Sequence, residues 1–189
     1  VHGQVSWECD RISALRSGAR TPTQVVVYDA HSGERTVVEV GPLGEWIDDE
    51  LVEPELVEIA TDDGAVVHAR LYRADASTRV LVWLHGGPTD QWLVTWMPRI
   101  AHWRSRGWNV LVPDHRGSTG HGRAYQQAMQ GRWGALDVAD TLAAVRHAHG
   151  AGLGAPSTTV VMGGSAGGFT ALGAVAADPT LFAACVVAY

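Results

Sequence analysis

A chain of 189 residues, 46% apolar and with a formal charge of −6, holds enough material for one packed domain and part of a second. It lacks the basic face that nucleic acid or an anionic membrane surface would require. Its 14 basic residues are all arginine, which excludes a Walker A lysine, a kinase-type phosphate lysine and a Schiff-base lysine together.

The start, Val1-His2-Gly3-Gln4, has no initiator Met, basic n-region or apolar h-region. It reads as the opening of a piece of a longer chain with no secretory signal, and the expected compartment is cytoplasmic. Cys9 and Cys185 stand far apart, and Cys185 lies in an apolar run, so both are expected to be reduced, packed thiols.

Two β-rich runs, residues 25–28 and 36–40, flank a polar loop containing Gly33. They predict a hairpin, and one such unit fits a blade of an all-β array. A single blade cannot bury its own faces and implies neighbours. Residues 41–54 are rich in Gly, Pro and acids, so a boundary is expected near Glu50, dividing a β-rich remnant at 1–50 from a second region at 51–189. A second hairpin is predicted from residues 56–60 and 66–72 around Thr61-Asp62-Asp63-Gly64.

From there strands and helices alternate. Val80-Leu81-Val82-Trp83-Leu84 is continuously apolar, as a strand buried on both faces should be. A helix is predicted over 96–106, with Pro98 tolerated in its first turn, and then a strand over 109–112. Residues 137–149 place Val138, Leu142 and Val145 on one helical face, and Asp137 and Asp140 favour the N-terminal end of that helix. An apolar strand, an Ala-rich helix and a last strand over 183–187 follow. This alternation predicts an α/β fold with a mostly parallel sheet.

The most informative stretch is Val160-Val161-Met162-Gly163-Gly164-Ser165-Ala166-Gly167-Gly168-Phe169. It sets one serine among glycines where a strand becomes a helix, the signature of a nucleophile elbow whose sharp turn exposes the Ser165 hydroxyl. Ala166 then opens the helix with an amide free to bind a developing oxyanion. A membrane helix over 157–177 is disfavoured, because four glycines weaken it by about 1 kcal/mol each relative to alanine and the β-branched run Thr158-Thr159-Val160-Val161 asks for a strand. His85-Gly86-Gly87-Pro88 follows the first buried strand, at the sheet edge where α/β folds place ligands. The Gly87 amide is the candidate second oxyanion donor, and losing one such donor typically costs about 3 kcal/mol of transition-state stabilisation.

Asp114-His115-Arg116-Gly117-Ser118-Thr119-Gly120-His121-Gly122-Arg123, with Gly131-Arg132-Trp133-Gly134 and Asp137, precedes the elbow. Together with Pro54-Glu55, Asp63-Gly64, the HGGP turn and GGSAGG, this order resembles the prolyl oligopeptidase family, nearest its acylaminoacyl and dipeptidyl peptidase-like branch. The likeness covers residues 54–189, and Ile12-Ser13-Ala14-Leu15 with residues 25–34 resemble the last blade of that family's β-propeller. The resemblance implies the N-terminal part of an α/β-hydrolase domain, a propeller that limits access to short peptides, and no cofactor or metal. It also implies a parent protein that cleaves oligopeptides or blocked peptides, with Ser165 as nucleophile and the Gly87 and Ala166 amides as oxyanion donors.

Two departures matter. Many relatives carry a tyrosine where Ala166 stands, and this fold orders its triad Ser, Asp, His, whereas no histidine follows Ser165 and the only later acid is Asp178. Asp178 reads as a helix-end cap or turn residue. Of the upstream histidines, His85 belongs to the HGGP turn and His115 and His121 to the RGSTG loop, while His147 and His149 lie on different helical faces with no third metal ligand nearby. Asp114 and Arg116 are expected to pair with each other and shape their loop. A serine without its base is a poor nucleophile, so the expectation is a serine peptidase of which these residues alone are an incomplete, inactive part. Two other readings stay open: a carboxylesterase, since GGSAGG and HGG also resemble hormone-sensitive-lipase-like esterases, although those usually continue with a third glycine where Pro88 stands; and a non-catalytic binding scaffold.

Overall fold

Short extended runs separated by tight turns pair consecutively in the first 43 residues of the computed structural model, which describes residues 2–43 and 52–189. The strands β1 (His2–Glu8), β2 (Arg11–Gly18), β3 (Thr21–Asp29) and β4 (Arg35–Val40) form a four-stranded antiparallel sheet in that order. The β3–β4 hairpin is closed by Asp29, whose Oδ1 accepts from the Ser32 amide at 2.7 Å and the His31 amide at 3.0 Å, while Gly33 supplies the positive φ of 71°. The same contacts hold the Asp29 carboxyl below its usual pKa. Pairing makes strands of β1 and β2, whose mixed polar composition gives no run of its own: β2 pairs with β3, and β1 with β2. Cys9 lies exposed at the β1–β2 turn, so the packed environment expected for it is not found; both cysteines are free thiols, with Cys185 half-buried.

The chain divides into two compact units, one comprising residues 1–53 with 93–102 and the other residues 54–92 with 103–189. The boundary expected near Glu50 lies outside the described residues. Within the first unit the Trp96 amide donates to Ser17 Oγ at 2.9 Å.

In the second unit β5 (Glu55–Ala60), β6 (Val66–Tyr72), β7 (Val80–Leu84), β8 (Asn109–Asp114), β9 (Thr159–Gly164) and β10 (Ala184–Ala188) form one sheet in the order β10-β9-β7-β8-β6-β5. The pairs β7–β8, β7–β9 and β9–β10 are parallel, and β5–β6 and β6–β8 are antiparallel. The helices are α1 (Pro98–Ser105), α2 (Arg123–Gln127), α3 (Leu136–Gly150) and α4 (Ala166–Ala177). Every residue of β7 and β8 is buried, in keeping with the apolar run that predicted β7.

Val80, Val82 and Leu84 of β7 pack with Leu111, Val161, Ala144, Val145, Ala148 and Ala171 in one cluster. Burying each such valine or leucine is worth about 1.5–3 kcal/mol. Val138 and Leu142 of α3 pack against Ala174 of α4. The two helices approach so closely that a methyl group at Gly173 would meet Val138 Cγ2 at 2.7 Å. That contact sets the axis of α4 and therefore the position of the residue at its head, Ser165. Among the described residues no helix is long and apolar enough to cross a membrane.

Candidate active site

Ser165 sits where β9 ends and α4 begins, exposed, with φ 54° and ψ −126°. A side chain at positive φ is costly and persists only where its surroundings hold it. Here the Ser165 carbonyl accepts from the Gly168 and Phe169 amides at 3.0 and 3.1 Å, and the Ser165 amide donates to the carbonyls of Ala188 and Tyr189 at 3.1 and 3.0 Å. The Ala166 amide belongs to the first helical turn, whose N–H groups have no partner inside the helix. Its side chain is a small, buried methyl group.

Glycines allow the main chains around this turn to touch. A methyl group at Gly163 would collide with the Gly167 carbonyl, and one at Gly167 would lie 2.5 Å from the His85 carbonyl oxygen. At Gly86 it would lie 3.6 Å from Ser165 Cβ and 3.3 Å from the Gly164 carbonyl oxygen. The HGGP turn therefore lies directly against the elbow. Gly87, next in the turn, has φ 127°, a conformation that favours glycine. Beside it opens a pocket of about 480 Å³ whose lining includes Pro88, Thr89, Gln126, Met129 and Trp133. Trp133 packs on Phe169 of α4 with ring centroids 5.0 Å apart.

The loop before α2 is braced differently from the sequence-based expectation. Asp114 and Arg116 do not pair with each other. Asp114, at the end of β8 opposite the start of β6, forms a buried ion pair with Arg70 and accepts from His121 Nε2 at 3.0 Å. Arg116 turns to α3 instead, donating to Asp140 from its backbone amide at 2.7 Å and from Nη2 at 2.6 Å, and to Asp63 from Nη1 at 2.7 Å. Asp140 and Asp63 raise the guanidinium further above its usual pKa, and the Asp63 carboxyl is pushed well down. Asp140 is thus the buried partner of Arg116, beyond the general helix-end preference read from sequence. Asp137 accepts from the Gly134 amide at 2.7 Å and from Thr170 Oγ1 of α4 at 2.5 Å, tying the loop to the elbow helix.

Sequence reasoning also missed a buried chain behind the HGGP turn. His85 Nε2 lies 2.7 Å from Ser118 Oγ, His85 Nδ1 lies 2.7 Å from the Gly86 carbonyl oxygen, and the His85 ring stacks on His115 with centroids 4.6 Å apart. Only the spacing of HGGP and RGSTG, two loops at the same sheet edge, hinted at it. His149 contacts Thr159 Oγ1 at 2.7 Å, and Asp178 accepts from Thr180 and Arg146, the cap role read for it from sequence. Among the described residues no side chain hydrogen-bonds the Ser165 hydroxyl.

A serine on a strand-to-helix elbow at the carboxyl edge of a parallel sheet, with a glycine turn from the neighbouring strand against it, defines an α/β-hydrolase. The sequence profile of the prolyl oligopeptidase family matches residues 94–189, half of the chain, and the chain belongs to that family. It is 38% identical over 101 residues to the acylamino-acid-releasing enzyme of Arabidopsis thaliana, a match covering 53% of this chain and 13% of that protein. It is 36% identical over 131 residues to dipeptidyl peptidase family member 6 of Caenorhabditis elegans, covering 69% and 18% respectively. A solved puromycin-hydrolyzing peptidase of Mycobacterium tuberculosis superposes with a TM-score of 0.89 at 27% identity, over 97% of this chain and 30% of that one. The chain thus spans less than a third of the length of the proteins it matches.

Proposed function

We propose that this sequence carries the nucleophile and oxyanion hole of a serine peptidase that acts on short or N-terminally blocked peptides. The observation that carries the reading is the exposed Ser165 at φ 54° with the Gly86 main chain packed against its Cβ. Ser165 Oγ attacks the scissile carbonyl as its proton passes to a base. The resulting oxyanion accepts from the Gly87 and Ala166 amides, which gain most when charge develops there. Collapse breaks the C–N bond, the amine departs with the proton, and the acyl group stays on Ser165 until water releases it.

The triad acid and base are proposed to lie in the part of the protein not represented by these 189 residues, because His85, His115, His121 and His149 are engaged elsewhere. The names of the relatives, which speak of acylamino acids and dipeptides, support small amino-terminal units as the substrate class.

The test compares acyl-aminoacyl and dipeptidyl anilides with p-nitrophenyl esters on the natural gene product carrying this sequence, with fluorophosphonate labelling alongside. Peptide anilides are expected to be cleaved and Ser165→Ala to abolish both cleavage and labelling. Preference for simple esters would make it a carboxylesterase, and no labelling would make it a binding scaffold. Peptide hydrolysis at enzyme rates by the 189 residues alone, lost on Ser165→Ala, would overturn the placement of the triad base elsewhere.

A further inference from the structure

We propose that His85 and Ser118 are positioning residues that lock the Gly86–Gly87 peptide plane and so aim the Gly87 amide as an oxyanion donor. The proposal rests on the hydrolase reading above.

The argument is an accounting of protons. The Gly86 carbonyl can only accept, so the His85 Nδ1 facing it at 2.7 Å carries a hydrogen. Burial, seconded by the neighbouring His115, disfavours the imidazolium, and His85 is only 2% exposed. In the neutral ring Nε2 is then an acceptor, in hydrogen-bond reach of Ser118 Oγ at 2.7 Å. Ser118 Oγ donates to the His115 carbonyl at 2.7 Å, an oxygen that receives the Ser118 amide at 2.9 Å as well, so the hydroxyl ties the far edge of the His85 ring to the main chain of the RGSTG loop. The Gly86 contact admits one direction, His85 Nδ1–H to the carbonyl, and Ser118 Oγ at Nε2 holds the opposite edge of the ring in place. Ser118 is fully buried, so no water competes for its contact with His85, while the His85–Gly86 bond is part-buried.

The consequence reaches the reaction through covalent geometry. The Gly86 carbonyl and the Gly87 N–H are the two ends of one planar trans peptide and point in opposite directions. Holding the oxygen on His85 directs the N–H away from His85. A Gly-Gly unit has the least steric resistance to rotating its peptide plane, and Gly87 at φ 127° lies where other residues rarely go. The clamp therefore stands at the one peptide in the turn most able to flip. It costs the reaction no rearrangement, because the donor is oriented before charge develops.

The test uses the natural gene product with His85→Ala, His85→Asn, His85→Gln and Ser118→Ala. The asparagine amide can replace the Nδ1–H donor, whereas glutamine places its amide near the Nε2 position. His85→Ala and His85→Gln are expected to lower kcat about 10- to 100-fold, below the loss from deleting a donor outright, with KM within about twofold. Affinity for a peptide boronic acid should fall in parallel with kcat. His85→Asn should recover most of kcat, and Ser118→Ala should lose kcat severalfold at a temperature well below its melting transition, with KM within about twofold. Unchanged kcat in His85→Ala and Ser118→Ala, or an asparagine variant no better than alanine, overturns the clamp while the hydrolase reading stands. Absence of fluorophosphonate labelling in the unaltered protein overturns the hydrolase reading, and the clamp with it.

Discussion

The two sheets are built on opposite principles. In the sheet of β1–β4 only Ala14 and Val26 are buried among the apolar side chains, while Trp7 is 70% and Val38 59% exposed. In the second unit β7 and β8 bury every residue they have. The first is one four-stranded unit joined by main-chain pairing and turns such as that at Asp29, of the kind that buries its faces against neighbouring units; the second has a packed interior between helices and sheet. An antiparallel sheet can leave one face to solvent, whereas a parallel one is found with both faces covered. The candidate active site sits on the second kind, where the framework under Ser165 is held by buried packing.

The strongest way to break this contrast is to remove Asp140, which would leave the Arg116 guanidinium without its main carboxylate in a buried place. Asp140→Ala is expected to cost about 3–5 kcal/mol, read by calorimetry as a loss confined to the second unit. Next, Leu84→Ala should cost about 2–5 kcal/mol by opening a cavity, while Val38→Ala should stay within about 0.5 kcal/mol. Equal losses at the two positions in denaturant titrations would erase the distinction.

The smallest effect is with pH. Burial lowers the pKa of His85 and of His149 from the model-peptide value of 6.5, so the unfolded chain binds these protons more readily than the folded one. Their contribution is complete above about pH 6.5 and is lost as pH falls from there. Asp29, lowered chiefly by the Ser32 amide, keeps its contribution until pH falls below its ordinary value of 3.8. Between those limits scanning calorimetry should show the second unit's transition moving down and the first unit's holding still.

Sequence and structure agree where local pattern carries the information. The run Val80 to Leu84 became β7 residue for residue, and the glycines around Ser165 marked the elbow because a tight turn tolerates little else. β1 and β2 were not legible as strands: Ser13, Arg16 and Gly18 interrupt any apolar period in β2, which is fixed by pairing with β3, and β1 in turn by pairing with β2. The Asp114 and Arg116 partners were missed for a related reason. Two neighbours in sequence invite pairing, but Arg70 and Asp140 arrive from 44 and 24 residues away, and no spacing rule announces them. The His85–Ser118 link is of the same kind, with 33 residues between its ends.

Three stretches of bare main chain stack at the candidate active site: Gly163 on Gly167, Gly167 on the carbonyls of Leu84 and His85, and Gly86 on Gly164 and Ser165. Geometry there is specified by missing atoms, so a saturation mutagenesis map should show a block of intolerant positions with no functional groups in it. Diversification is left to the rim, at Thr89, Gln126 and Trp133, where exposed side chains line the pocket. Engineered descendants of this scaffold would then inherit a frozen reaction centre and drift in what they accept.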